Sequence, residues 1–245
     1  MEKFRKEESI RQLADKNKKL INLSIIGIFI ILVISGLMFL KIKSADNPSS
    51  QNQLILKIDE ILSSDWVKGN KESKIILIEY SDFQCPACGI YYPIVNKLAE
   101  EFGDKIAIIY RHFPLKSIHR NAEAAALAAE AAGRQGKFWE MHNALFDNQK
   151  EWSDEINSGE YFVKYAGGLP VGQTGVNIDI NKFKADLSLQ EVKNKVKNDL
   201  VGAEKNNLNS TPTFFLNGKK IQPRSYEEFK QIILDEIKKN QKNEQ

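Results

Sequence analysis

Between residues 75 and 88 the sequence passes from a strand pattern directly into the start of a helix. Residues 75–80 (IILIEY) are short, β-branched and almost all apolar, which predicts a strand buried on both faces in the middle of a sheet. A helical run then extends to Phe102 and ends at Gly103, and residues 106–110 predict a second strand. We therefore predict a β-α-β unit at the centre of an α/β fold.

The rest of the chain divides into a helical part and a short return to strands. Helical patterns cover residues 122–132, 138–146, 160–166 and 180–206, and they predict a helical insertion at about 117–207. Strand character returns at 213–216 and 219–221 around an Asn217-Gly218 hairpin turn, before an amphipathic helix at 226–239. Near the start, residues 54–62 predict a short helix leading to Trp66, and residues 68–70 predict a turn.

The N-terminal part of the chain contains a candidate membrane span. Residues 20–40 include no charged side chain and match the ~20 residues that a helix needs to cross a bilayer core. Seven lysines and arginines precede this run, which predicts a cytoplasmic N-terminus and a domain exported beyond Lys41. A cleaved signal peptide is the alternative, although no A-x-A site follows the apolar run.

Composition supports one globular domain in addition to this anchor. The predicted parts are a basic N-terminus at 1–19, a transmembrane helix at 20–40, a polar tether with the leading helix at 41–64, the main domain at 65–240 and a disordered tail at 241–245. The net charge of +3 comes from interspersed basic and acidic residues, so we predict no nucleic-acid partner.

The only two cysteines, Cys85 and Cys88, are three positions apart, which points to a chemical role for them. Cys85 lies at a predicted helix N-terminus, where free amides and the helix dipole stabilise a thiolate, the nucleophile of disulfide exchange. Pro86 suits the first helical position because its missing amide hydrogen is not needed there. Cys88 lies one turn later, within reach of a mixed disulfide at Cys85.

Together these residues resemble the thioredoxin superfamily: a strand, Phe83-x-Cys85-Pro86-x-Cys88, a helix, and Thr211-Pro212 before a late strand. The helical insertion, with His119-Arg120-Asn121-Ala122 and the segment from Gly136 to His142, resembles the DsbA-like branch. The resemblance implies a thioredoxin fold with an inserted helical subdomain and a thiol:disulfide oxidoreductase activity.

The resemblance also implies roles for individual residues. Glu79 corresponds to a buried acid that relays protons to the active-site thiols, and Pro93 to the proline that kinks the first helix. Thr211 and Pro212 correspond to a cis-proline segment that binds substrate backbone, while Phe83, Pro86 and Ala87 support the active site. Ala87 departs from the histidine of the best-known members, so we expect a milder oxidant and leave the direction of electron flow open.

Alternatives remain for several of these residues. Cys85 and Cys88 are also spaced like half of a zinc site, but His112, His119 and His142 lack paired zinc-type spacing, so we predict no metal and no cofactor. Glu79 has the alternative of a solvent-facing position at a sheet edge. Pro212 has the alternative of an ordinary trans bond. We interpret His119 and His142 as packing or surface residues.

Three functions follow as hypotheses. The first is an exported oxidase that acts on unfolded, cysteine-containing exported proteins, with re-oxidation by a quinone-linked membrane partner implied by the family. The second is an extracytoplasmic reductase of the same fold, fed by a transmembrane electron carrier. The third is a membrane-tethered, chaperone-like peptide-binding module in which the redox chemistry is incidental.

Overall fold

The structure is a computed structural model that describes residues 58–170 and 177–243, all within the unit Leu54–Gln245. Its elements in chain order are β1 (Trp66–Gly69), β2 (Ile76–Ser81), α1 (Pro86–Phe102), β3 (Ala107–His112), α2 (Ala122–Gly133), α3 (Phe138–Asp147), α4 (Gln149–Trp152), α5 (Ser158–Gly168), α6 (Ile180–Asp186), α7 (Gln190–Lys205), β4 (Thr213–Leu216), β5 (Lys219–Ile221) and α8 (Tyr226–Asn243). The order matches the predicted β-α-β unit, helical insertion and β-β-α ending.

The strands form one mixed sheet in the order β1-β3-β2-β4-β5. β2 and β3 are parallel and connected through α1, whereas the other neighbouring pairs are antiparallel. β2 is therefore the central strand, and Leu77 and Ile78, which face opposite sides of the sheet, are both fully buried. The prediction of a central buried strand is confirmed.

Three apolar clusters stabilise the domain. Leu77 packs on one sheet face with side chains of α1 and α8, including Leu98 and Phe229. Ile78 packs on the other face with Phe215. The third cluster joins the two cysteines to the helical insertion and contains Phe83, Tyr110, the alanines of α2 and Trp152. The reactive segment thus lies where the sheet meets the insertion.

Small side chains allow close packing within the insertion. Ala125, Ala128, Ala129 and Ala132 are all fully buried on α2, which contacts α3, α5, α6 and α7. Alanine has a high helix propensity and no flexible side chain to order, so this run forms a helix that other helices can approach closely.

Several local predictions need correction. Within the helix predicted at 54–62, residues 58–62 form a turn and bend without helix. Trp66–Gly69, which precedes and overlaps the predicted turn, is a strand whose Trp66 pairs with Tyr110 of β3. The single helix predicted at 180–206 is two helices, and α4 was not predicted. The final helix extends to Asn243, through most of the predicted disordered tail.

The predicted membrane span at 20–40, its basic N-terminal flank and most of the tether lie outside the described residues. Within residues 58–170 and 177–243, no helix has the length and apolar character needed to cross a bilayer.

Candidate active site

Cys85 is the residue that caps α1 at its N-terminus. Its backbone is extended, with φ −68° and ψ 122°, and Pro86 begins the helix. The amide of Cys85 donates to the Asp82 carbonyl at 3.0 Å, and its carbonyl accepts from the Gly89 amide at 3.1 Å. The Cys85 sulfur therefore lies beside the free amides of the first helical turn, while Pro86 is exposed.

These surroundings lower the pKa of the Cys85 thiol to about 5. The largest cause is a hydrogen bond from the Cys88 thiol, and interactions with Thr211 and with the amides of Cys88 and Ala87 act in the same direction, against the effect of burial. Both cysteines are free thiols in the structure. At neutral pH Cys85 is therefore mostly a thiolate, the form that attacks disulfides.

Cys88 has the opposite character. Its side chain is fully buried, and burial together with the neighbouring Cys85 raises the pKa of its thiol well above the usual range. The nearby Glu79 carboxylate adds to this rise. The site thus combines a reactive Cys85 thiolate that is 7% exposed with a protonated Cys88 thiol that is fully buried.

The segment before β4 completes the outer wall of the site. The Thr211-Pro212 peptide bond is cis, as predicted. Since β4 pairs with β2 through Tyr80 and Thr213, Thr211 lies opposite the end of β2, and its carbonyl oxygen is 3.5 Å from the Cys85 sulfur. The Thr211 hydroxyl is buried and has no hydrogen-bond partner of ordinary geometry among the described residues, but it helps to lower the Cys85 pKa.

Glu79 lies inside the sheet rather than at an edge. It pairs with Tyr110 of β3 on one side and with Phe214 of β4 on the other, and only 4% of its surface is exposed. Burial raises the pKa of its carboxyl to about 7, although the Ser81 hydroxyl and the Lys68 ammonium oppose that rise. Glu79 is therefore able to gain or lose a proton at neutral pH.

A small cavity connects Glu79 with the helical insertion. Its volume is about 10 Å³, close to the space for one water molecule. Its lining includes Glu79, Lys68, Tyr92, Tyr110 and His142. Sequence reasoning missed Lys68 because the strand β1 that carries it was not predicted.

His142 was correctly interpreted as a packing residue, since it is buried among aromatic rings. Its ring meets Tyr110 edge-on at 4.9 Å and Phe83 at 5.6 Å. Burial lowers the pKa of its imidazole to about 3, so it is neutral at physiological pH. Phe83 in turn stacks on Tyr110 at 4.9 Å and fixes the loop before Cys85. No group of three or more metal-binding side chains occurs within the part of the chain that the structure describes.

Two polar side chains that the sequence did not single out hold the loop before Cys85. The buried Asp82 carboxylate accepts hydrogen bonds from the amides of Gln84 and Leu115 at 2.8 and 2.9 Å. It also contacts His119 Nδ1 at 2.7 Å. The Gln84 side chain donates to the Ser153 carbonyl and accepts from the Asn121 amide, each at 2.7 Å. The loop is thereby attached to the helical insertion.

Comparison with known proteins agrees with this arrangement. A family model described as Thioredoxin matches residues 63–235. The Na(+)/H(+) antiporter NhaA 1 of Mycobacterium sp. (strain KMS) is 37% identical over 160 residues, which cover 64% of this chain and 24% of that protein. The NhaA 1 of Mycolicibacterium vanbaalenii is 39% identical over 158 residues, or 63% of this chain and 23% of that protein. The chain thus spans about a quarter of the length of these relatives.

Solved structures share the fold at lower identity. BdbD from Bacillus subtilis in its oxidised form superposes with a TM-score of 0.62 at 23% identity, covering 74% of this chain and 96% of that one. Alpha-DsbA1 from Wolbachia pipientis gives a TM-score of 0.64 at 20% identity, covering 76% and 96%. Because the family match covers most of the described residues, the chain belongs to the thioredoxin superfamily, in the family that this model describes as Thioredoxin.

Proposed function

We propose that this chain is a protein-disulfide oxidoreductase and that it acts outside the cytoplasm as an oxidase that introduces disulfides into exported proteins. The observation that carries the direction is the pKa of Cys85, lowered to about 5 beside a protonated Cys88. A stabilised Cys85 thiolate favours the reduced form of the pair, and a pair with a stabilised reduced form is a strong oxidant.

The reaction begins with a substrate thiolate that attacks Cys85 Sγ of the Cys85-Cys88 disulfide. The Cys85-Cys88 bond breaks, a mixed disulfide forms at Cys85, and Cys88 leaves as a thiolate that takes up a proton. A second substrate thiolate then attacks the substrate sulfur of the mixed disulfide. Cys85 leaves as a stable thiolate, the substrate is oxidised by two electrons, and the enzyme pair is reduced.

Glu79 and the Thr211-Pro212 segment have separate roles in this proposal. Glu79, with a carboxyl pKa of about 7, supplies the proton that the departing Cys88 requires and accepts it again on re-oxidation. The Thr211 carbonyl, 3.5 Å from the Cys85 sulfur, lies where the backbone of a bound substrate approaches. Pro86 is exposed and Ala87 is half-buried next to Cys85, so in this proposal they lie where that substrate approaches.

The location and the partners are proposed from the sequence. The uncharged run at 20–40 and its basic flank favour an anchor in the cell membrane with the catalytic domain outside. Exported proteins with free cysteines are then the substrates, and an integral-membrane quinone-linked partner accepts the two electrons. An alkaline phosphatase fused after Gln245 is expected to be active, because that enzyme needs export to form its own disulfides. An inactive fusion would contradict the location.

A reductase is the second candidate. The position before Cys88 is Ala87, whereas a histidine there would further stabilise the Cys85 thiolate and make the pair more oxidising. In that case electrons would arrive from a transmembrane carrier. The two directions differ in the reduction potential of the same pair, so one equilibrium measurement distinguishes them.

The test uses the 245-residue chain purified in detergent and equilibrated in glutathione buffers. The alkylated Cys85-Cys88 pair is quantified by mass, and the Cys88→Ser variant, which has no intramolecular disulfide, is the control. A potential nearer about −120 mV than about −270 mV supports the oxidase, whereas a value at or below the latter supports the reductase. If the disulfide does not form at all, the proposed redox function is wrong.

A further inference from the structure

Gln149, in α4 of the helical insertion, forms hydrogen bonds with the backbone of Phe83 and Cys85, the two neighbours of Gln84. Gln149 Nε2 donates to the Phe83 carbonyl at 2.7 Å and to the Cys85 carbonyl at 2.9 Å. Backbone carbonyls only accept hydrogen bonds, so the amide must present its NH₂ group to them. The two carbonyl acceptors therefore determine the orientation of the Gln149 side-chain amide.

The two carbonyls are part of the turn that starts α1. The Cys85 carbonyl also accepts the first helical hydrogen bond, from the Gly89 amide at 3.1 Å. Gln149 thus fixes the peptide planes around Cys85, and with them the angle at which its sulfur faces the amides of Ala87 and Cys88. Those amides are among the groups that stabilise the thiolate.

Gly89 supplies an independent observation. A Cβ atom at this position would lie 2.7 Å from Gln149 Oε1, and the three nearest atoms it would meet all belong to the Gln149 amide. Gly89 lies within α1, where glycine is about 1 kcal/mol less favourable than alanine. Gly89 therefore lowers the stability of α1, but its lack of a side chain leaves room for the Gln149 amide.

We propose that Gln149 is a positioning residue that holds the Cys85 loop in its reactive geometry, and that Gly89 is required because it admits the Gln149 amide. The inference rests on the proposed thiol chemistry but concerns a different residue, on a different element, from those that react. It makes the helical insertion part of the redox centre, because α4 fixes the turn from which Cys85 reacts.

Substitution of either residue tests the proposal. Gln149→Met keeps the length of the side chain but removes both N–H donors. Gly89→Ala leaves Gln149 unchanged in sequence but displaces the end of its flexible side chain, while improving the helix propensity of α1. The matched control is Gln135→Met, since Gln135 also joins two segments of the insertion, through the backbone of Asp179, but does not contact the active-site loop.

We expect the same shift in both test variants. The pKa of Cys85, read from the pH dependence of its alkylation in the reduced 245-residue chain, rises by about half to one unit. The equilibrium constant for oxidation of glutathione by the pair falls about threefold to tenfold. For Gly89→Ala we expect this lower equilibrium constant together with a melting temperature equal to or above that of the wild type. A purely structural role of Gln149 would not produce that combination.

The double variant distinguishes the proposal further. Gly89→Ala combined with Gln149→Met is expected to shift the pKa no more than either change alone, because both remove the same contact. Wild-type alkylation profiles in the single variants, or additive shifts in the double variant, would overturn the proposal. If Gln149→Met does not fold, Gly89→Ala decides alone. Because alkylation is measured on the reduced chain, it tests Gln149 even if the wild-type pair forms no disulfide.

Discussion

The sulfur of Cys85 lies 3.5 Å from the carbonyl oxygen of Thr211, a residue 126 positions later in the sequence. The contact arises because β2, which leads to Cys85, and β4, which follows Thr211, are antiparallel neighbours at the centre of the sheet. The reactive sulfur therefore has the helix N-terminus on one side and the cis-proline segment on the other. Changes at Thr211 are expected to affect Cys85 directly.

Thr211→Val removes the buried hydroxyl while keeping the shape of the side chain. That hydroxyl contributes to the lowered pKa of Cys85, so we expect the Cys85 pKa to rise by about half to one unit and the pair to become less oxidising. The pH dependence of alkylation in the reduced protein measures the change. Thr213→Val is the control, because the Thr213 hydroxyl donates to the Ser210 carbonyl instead. Equal shifts in both variants would contradict the assignment.

Glu79→Gln is expected to change the pH dependence of stability. Burial raises the Glu79 pKa from 4.5 to about 7, so the unfolded chain loses this proton more readily than the folded chain. The stability that the protonated group provides is complete below about pH 4.5 and is lost as pH rises through about 7. At pH 8 the variant should therefore be more stable than the wild type by up to about 3 kcal/mol, with no such gain at pH 4.

Chemical denaturation at the two pH values measures this difference. The same variant is expected to slow the steps in which Cys88 gains or loses a proton, and to remove the limb near pH 7 from the rate profile. Glu72→Gln is a suitable control, since Glu72 is an exposed carboxylate in the turn before β2. A gain in stability that is the same at pH 4 and pH 8 would show that Glu79 does not titrate in this range.

The reduced protein is expected to be more stable than the oxidised protein at neutral pH. Folding lowers the Cys85 pKa from 9.0 to about 5, so the thiolate stabilises the reduced fold, and this contribution is complete above about pH 9 and lost as pH falls through about 5. At pH 7, between these two pKa values, the contribution favours the reduced fold. Denaturation of both forms between pH 4 and pH 8 measures it. A difference that does not shrink toward pH 4 would contradict the lowered pKa.

The central part of the fold was predictable because it depends on local sequence patterns. The apolar run at 75–80 predicted the central strand, and Asn217-Gly218 predicted the hairpin, where both residues adopt positive φ. The cysteines, Glu79 and the cis Thr211-Pro212 bond followed from the resemblance of these motifs to a known family. The structure has the cis bond and buries Glu79 within β2, while the catalytic and binding roles of these residues stay predictions.

Other features depend on tertiary contacts that a local pattern does not encode. β1 is only four residues long and is a strand because Trp66 and its neighbours pair with β3. Gln149 lies on a helix of four residues that the periodicity did not indicate. Its function in the loop depends on hydrogen bonds to residues more than sixty positions away. Glycine at position 89 was a possible signal, because a glycine inside a helix often marks a close contact.

A buried ion pair joins the start of the domain to the sheet. Asp65 and Arg111 are in contact at 2.8 Å with both side chains fully buried, and Lys195 of α7 lies 3.7 Å from the same aspartate. Asp65→Asn leaves the buried Arg111 guanidinium without its carboxylate, whereas Lys195 keeps Asp199 at 2.7 Å. We therefore expect a loss of about 3–5 kcal/mol in the free energy of unfolding. Denaturant titration measures the loss, with the exposed Asp104→Asn as control. Arg111 and Tyr110 are adjacent in β3 and so face opposite sides of the sheet, and Tyr110 is the one that stacks on Phe83 beside the thiols. The Cys85 alkylation profile of the folded variant should therefore match that of the wild type. A change in that profile would show that the ion pair also supports the redox centre.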